Sequence, residues 1–429
     1  MKLLMMVLLC SVSMLSQGET LLASIAAAKQ YDSGIRAARH DLLMGKEKIT
    51  QGRAALLPQL ALTAKSGVTN QDEPSSKQYA REYQVSMQQT LFDMAKFNAL
   101  NQGKLSDRLA VLTYAQAEEE LVLNVADAYL SILWRKKAFE AMQTAKDMFK
   151  AQLGSAQLAL TLGEGTRTDV DEAQANYDNA LAESISADAE LELVNNVYQR
   201  LTGLSAQELT PASQACKQST LTFDKQQVWS DVLQNATILK VAALKVEQAH
   251  TDLSGAKREH MPTLNAEASY TADWQRAQDK VGGTSQRGQN KTSYVGLSLS
   301  MPLFSGGGTA SVSREMSSRL NQTKELLVNE QRLAFQETQS VLMSLQHGTA
   351  LLHARERAVV STRNKLRSTK YGREVGLRTS LDELNAIQEY ADAVGKMAEA
   401  NYQLLMAKLK LARIRGQLND QVVAALDCI

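Results

Sequence analysis

The sequence matches itself at an offset of half its length, and this constrains its fold more than any other feature. Leu162–Val170 reads LGEGTRTDV and Val375–Glu383 reads VGLRTSLDE. Gly163, Thr166 and Asp169 therefore lie opposite Gly376, Thr379 and Asp382, 213 positions further on (376 − 163). The same offset pairs Ala173 with Ala386, Tyr177 with Tyr390, Arg200 with Arg413 and Gly203 with Gly416. Upstream, LLPQLALTA at Leu56–Ala64 resembles HMPTLNAEA at His260–Ala268, and QTLFD at 89–93 resembles MPLFS at 301–305. A short period would indicate a solenoid; a period of half the chain indicates a duplicated domain. The expected divisions are a leader at 1–18, a first repeat at 19–210, a linker at 211–227, a second repeat at 228–418 and a tail at 419–429.

Both repeats present their elements in one order. A segment with helical spacing of apolar residues comes first, Leu21–Ala55 and Val228–Lys257, and a proline follows it. Alternation then takes over. Leu60, Leu62, Ala64 and Val68 alternate with Thr63, Lys65 and Gly67, and Leu264, Ala266, Ala268 and Tyr270 with Asn265, Glu267 and Ser269. A second strand follows in each half: Tyr83, Val85 and Met87 in the first, Val295, Leu297, Leu299 and Met301 in the second. Period-two patterning over about ten residues suits a transmembrane barrel strand. A soluble sheet with one wet face would read the same, although Tyr270 and Trp274 near a strand end suit a membrane interface. Four strands cannot close a barrel, because small barrels need about eight. Oligomerisation is then compulsory.

No proline occurs between positions 75 and 210 or after position 302, so long helices are permitted there. Met94–Leu162 would span about 100 Å as α-helix at 1.5 Å per residue. Leu121, Val125, Tyr129 and Ile132 recur along it at three- and four-residue steps with alanines between, a packing stripe for neighbouring helices.

The N-terminus MKLLMMVLLCSVSMLSQGE reads as a secretory leader cut after Gly18, with Lys2, an apolar core and small residues before the cut. Cys10 lies too early in it for a lipid anchor. No later segment holds about 20 uninterrupted apolar residues, so an exported chain of this kind is periplasmic, secreted or a β-barrel. Lys and Arg total 47 against 46 Asp and Glu, a net charge of +1 that gives no reason to expect nucleic acid.

The leader, the duplicated halves, the strand pairs between very long helices and the Gly-x-x-Thr-x-x-Asp turns together resemble the TolC-like outer-membrane channel family. VGLRTSLDELNA, LGEGTRTDVDEAQANYDNA, LFDMAKFNAL and LFSGGGTASV carry the resemblance, which covers nearly all of the mature chain. It implies a mainly α chain with transmembrane β structure. Three copies would give four strands each to a 12-stranded outer-membrane barrel, and their helices would form an α-barrel across the periplasm. It further implies passive efflux or type I secretion, with a periplasmic adaptor and an inner-membrane ABC or RND-type transporter as partners and outer-membrane lipid around the barrel.

The resemblance also assigns residues. The turns at Gly163, Gly165 and Thr166 and at Gly376 and Thr379 would be the periplasmic tip. There Arg378 would latch the channel shut on Thr168 and Asp169, an arginine fork matched to a carboxylate. Asp382 falls on one aspartate of the family's pore constriction and Asn385 on the other. A trimer would then carry three fewer charges and weaker cation block, unless Glu383 compensates. Plain helix capping is the blander reading of the same Thr–Asp pairs.

No catalytic site, cofactor or metal centre is expected. The five histidines include no metal-site pairing, no C-x-x-C or phosphate loop occurs, and SGGGT at Ser305–Thr309 reads as a bend between strand and helix. Cys216 and Cys428, 212 positions apart (428 − 216), occupy equivalent points beyond each repeat. They are read either as a disulfide pinning the tail to the linker or as two free thiols. A periplasmic coiled-coil adaptor or scaffold without a pore is the alternative function, and the paired amphipathic strands argue against it.

Overall fold

The computed structural model describes residues 19–71, 76–206, 209–210, 224–279 and 285–427. The leader, most of the linker, Cys216 and Cys428 lie outside the described residues. The described residues fall into two compact units that cut across both repeats: those within 19–37, 116–237 and 332–427 make one, and those within 38–115 and 238–331 make the other. Among the described residues no helix is long and apolar enough to cross a membrane.

Each repeat runs helix, helix, strand, strand, long helix, helix. The first comprises α1 (Leu21–Tyr31), α2 (Ser33–Ala54), β1 (Gln59–Gln71), β2 (Ser76–Phe92), α3 (Met94–Leu162) and α4 (Arg167–Thr202). The second comprises α5 (Lys225–Asn235), α6 (Thr237–Arg258), β3 (Thr263–Asp279), β4 (Ser285–Ser300), α7 (Gly308–Glu374) and α8 (Ser380–Ile414), and α9 (Asp420–Asp427) follows. The leading segments differ from the single helical stretch expected. Each leading helical segment is two helices, broken at Asp32, whose carboxylate accepts from the Ile35 amide and starts α2, and at Ala236, where the backbone leaves the helical region at ψ 121°. The tail holds a helix whose Val423 is buried and whose Asp420 lies 3.7 Å from Lys29 of α1.

The strands form one antiparallel sheet in the order β1-β2-β3-β4, longer at the hairpin ends than the alternation alone suggests. Register puts Leu60 opposite Met87, Leu62 opposite Val85, Val85 opposite Tyr270, and Ala266 opposite Leu297. The apolar faces of all four strands thereby merge into one. That face is bare: Leu60 is 73% exposed, Leu297 65% and Val295 85%. The opposite face carries Thr63, Lys65, Glu82, Gln84, Glu267, Ser269 and Asp273, with Lys65 and Glu82 paired at 3.2 Å. In the same unit α2 and α3 touch backbone to backbone. A Cβ on Gly103 would fall 2.4 Å from the Lys48 carbonyl oxygen, so only glycine permits the approach.

The other unit is helical. Tyr129 and Tyr198 are its largest fully buried side chains. The Tyr198 hydroxyl meets the Ser24 hydroxyl at 2.7 Å and the Glu19 carboxylate at 2.9 Å. Burial is the main cause that pushes its pKa up to about 12, so it stays a neutral donor. The Tyr129 hydroxyl reaches the carbonyl oxygens of Glu19 at 2.9 Å and Thr210 at 2.6 Å, where Glu19 bridges Leu209.

Candidate functional site

The two matching turns are built alike, atom for atom. Each long helix ends on a glycine in the left-handed region, Gly163 at φ 76° and Gly376 at φ 74°. The Gly163 amide donates to the Leu160 carbonyl and the Glu164 amide to Ala159; Gly376 and Leu377 repeat this on Arg373 and Gly372. These paired bonds satisfy carbonyls that a helix end leaves without partners. Gly165 donates to the Ala159 carbonyl as well.

The next helix then starts at once. Thr166 caps α4 and Thr379 caps α8, each accepting from the amide of the aspartate three residues on. In return Asp169 accepts from the Thr166 amide at 2.9 Å and hydroxyl at 2.7 Å, and Asp382 from those of Thr379 at 3.1 and 3.0 Å. Reciprocal capping satisfies two orphan amide donors. It also holds both carboxyls below their usual range. For Asp169 the Thr166 hydroxyl leads and the backbone amide follows. For Asp382 the Thr379 amide leads and the hydroxyl follows, with smaller attractions from Arg378 and Lys365.

Behind the turns lies an apolar core in which alanines interleave with larger side chains. Ala145 and Phe149 of α3, Ala180 of α4, Leu366 of α7, and Leu384, Ala386, Ile387 and Ala391 of α8 pack in one cluster. Leu153 and Ala156 pack on Ala173 in a second. The repeat mates Ala173 and Ala386 are both wholly buried, which lets neighbouring helices approach closely. Gln152 donates to the Ser380 hydroxyl at 2.5 Å, tying α3 to the start of α8.

An ion pair between Arg373 and Glu383 joins the last turn of α7 to the first of α8. The Arg373 Nε and Glu383 Oε2 are buried and have no other polar partner. Glu383 is only 6% exposed. Its carboxylate is thus paired with Arg373 inside the protomer. The sequence offered no cue to this pair, because an arginine and a glutamate flanking a turn look like two solvated charges.

Arg378, Thr168 and Asn385 are exposed. Arg378 lines a cleft of about 650 Å³ with Lys365, Asp382, Asn385, Glu389 and Asp392, and its stem lies against Gly372. Among the described residues no hydrogen bond or ion pair joins Arg378 to Thr168 or Asp169 within the chain, and Asp169 is engaged by its own cap. No group of described residues could hold a metal ion. The turns thus offer positioned charge and rigid caps.

The sequence profile of the family described as outer membrane efflux protein matches residues 25–204 and 228–417, one block in each repeat. Outer membrane protein TolC of Escherichia coli strain K12 is 29% identical, over 97% of this chain and 86% of its own length. Proteases secretion protein PrtF of Dickeya chrysanthemi is 26% identical, over 95% of this chain and 90% of its own length. Among solved structures, the Campylobacter jejuni CmeC outer membrane channel matches with a TM-score of 0.80 at 13% identity, covering 93% of this chain and 86% of that one. The outer membrane protein VceC from Vibrio cholerae matches with a TM-score of 0.75 at 17% identity, covering 92% and 96%. At such identities the two structures speak for the fold alone.

Proposed function

The chain belongs to the outer membrane efflux protein family, and on that premise we propose how it works as an outer-membrane duct for efflux and type I secretion. Three copies close one barrel of twelve strands. The observation that carries this is the continuous bare apolar face of a sheet whose edge strands β1 and β4 pair with no further strand among the described residues. Four strands have too few members to close, and unpaired edges inside lipid are not tolerated. An even number also leaves β4 of one copy antiparallel to β1 of the next, so a cyclic arrangement continues the ladder without a break.

The helical turns form the gate at the periplasmic tip. With Asp169 held by its own cap, two oxygens still have lone pairs free to accept from an arginine. Arg378 of one copy closes on Thr168 and Asp169 of a neighbour, and Asp382 lines the constriction with Asn385. A periplasmic adaptor and an inner-membrane ABC or RND-type pump open it and supply the energy. Similarity to a protein named for protease secretion supports polypeptide as well as small-molecule cargo. A coiled-coil adaptor without a pore is not favoured, because its β elements would not leave one face bare.

Single-channel recording in planar bilayers tests the gate. Wild type is expected to conduct poorly and Arg378→Ala to conduct several-fold better, with its caps unchanged. Equal, low conductance in both would remove Arg378 from the gate.

A further inference from the structure

Charge is sorted between the two faces of the sheet. The apolar face runs through Leu60, Leu62, Val85, Tyr83, Tyr270 and Trp274 towards the hairpin ends, and its described side chains include no acid. The acids of the described sheet side chains, Glu82, Glu267 and Asp273, all occupy the opposite face. Arg81, Arg276 and Lys291, by contrast, sit on the apolar face, and all three are exposed.

Register places them together at one end. Arg81 is opposite Trp274, Arg276 is opposite Tyr79, and Lys291 is opposite Ala272, two residues from Trp274. Diagonal neighbours of this kind lie about 7–8 Å apart, within reach of long side chains. Tyr83 and Trp274 meet edge to face at 5.5 Å beside them. Arg81, Arg276, Tyr79, Tyr83 and Trp274 line a groove of about 680 Å³ together with Ser66 and Val68. Among the described residues neither arginine forms an ion pair. The helices attach at the other end of the strands, so this end reaches the leaflet away from the periplasm.

We infer that this groove is a binding site for the phosphate-bearing head group of a lipid in the outer leaflet. Two planar guanidinium forks match phosphate oxygens in pairs. The aromatic rings sit where a membrane interface places them, and the apolar face below accepts the acyl chains. An acid-free basic cluster facing lipid would otherwise repel itself with nothing to offset it. The inference rests on the sheet being barrel wall.

The test uses the full chain solubilised from outer membranes, with diphosphorylated lipid A and phosphatidylcholine as alternative probes in detergent micelles, read by native mass spectrometry and thermal shift. Wild type is expected to bind lipid A selectively, and millimolar inorganic phosphate is not expected to displace it. The double variant Arg81→Gln/Arg276→Gln should bind it about ten-fold more weakly, the loss of at least one charge-assisted contact. Lys65→Gln, on the opposite face, should bind it like wild type. Equal binding of lipid A by the double variant, or an equal loss with Lys65→Gln, would overturn the site. Recovery of wild type in the soluble fraction would instead overturn the barrel reading itself.

Discussion

Gly163 and Gly376 hold a backbone conformation that costs other residues about 1 kcal/mol or more, and a Cβ added at either would meet no other atom within 4 Å. Gly376→Ala should therefore destabilise the turn through the backbone alone, by about 1 kcal/mol. Faster amide exchange confined to the ends of α7 and α8 would register it; exchange at the wild-type rate would show that the left-handed geometry is not needed. The capping aspartates give a pH dependence with a definite sign. Both carboxyls are depressed, so their contribution is complete above about pH 4 and is lost as pH falls through the lowered values. Protection factors of the amides in both turns, taken against the unstructured exchange rate at the same pH, should fall on acidification below that point, and protection that persists until global unfolding would contradict the capping account. Sequence spacing was enough to read these turns, since Gly, Thr and Asp at fixed offsets encode left-handed φ, N-cap and capping box locally. It could not tell whether Asp169 serves the cap alone or a neighbour as well, because that is decided between chains.

The elements themselves were legible where the pattern was long. Helix α3 occupies Met94–Leu162 as the absence of proline permits, and all four strands fall where alternation places them. Less was visible where a single residue decides. The break at Asp32 depends on one carboxylate meeting one amide, and nothing in the periodicity of Leu21–Ala55 announces it. The Arg373–Glu383 pair is hidden for a related reason. Ten positions separate the partners, and only the turn between α7 and α8 makes them neighbours. Glu383 is buried while the Arg373 side chain is 31% exposed, so removing the arginine leaves a charge that water partly screens, at a cost of about 1–3 kcal/mol, while replacing both partners by apolar residues of similar volume can be neutral. Arg373→Met alone should thus destabilise the hairpin of α7 and α8, and Arg373→Met/Glu383→Leu should recover most of the loss. A thermal-denaturation cycle in which the double variant is as unstable as the two single changes combined would show that the pair is not coupled.

The whole molecule is a protomer that cannot be complete alone. Its sheet presents apolar side chains on one face, polar and acidic ones on the other, and two edges that no other described strand pairs with. Such a surface is an aggregation hazard in water and a wall in lipid. Duplication explains how the protomer was assembled: each repeat supplies two strands, and the repeat mates Gly203 and Gly416 both turn left-handed just past the ends of equivalent helices, at φ 72° and 63°. Half the chain's offset, read from the sequence, already implied this architecture; closure needs other copies, and so lay beyond any single chain's pattern. The most direct measurement pairs a cysteine on β1 between Gln59 and Val68 with one on β4 between Tyr294 and Ser300, in a chain whose native cysteines are serine. Oxidised in outer membranes, adjacent edges should link into a ladder of one, two and three chains that stops at three. Absence of any β1–β4 link, or a ladder that ends at two or runs past three, would contradict the twelve-stranded barrel.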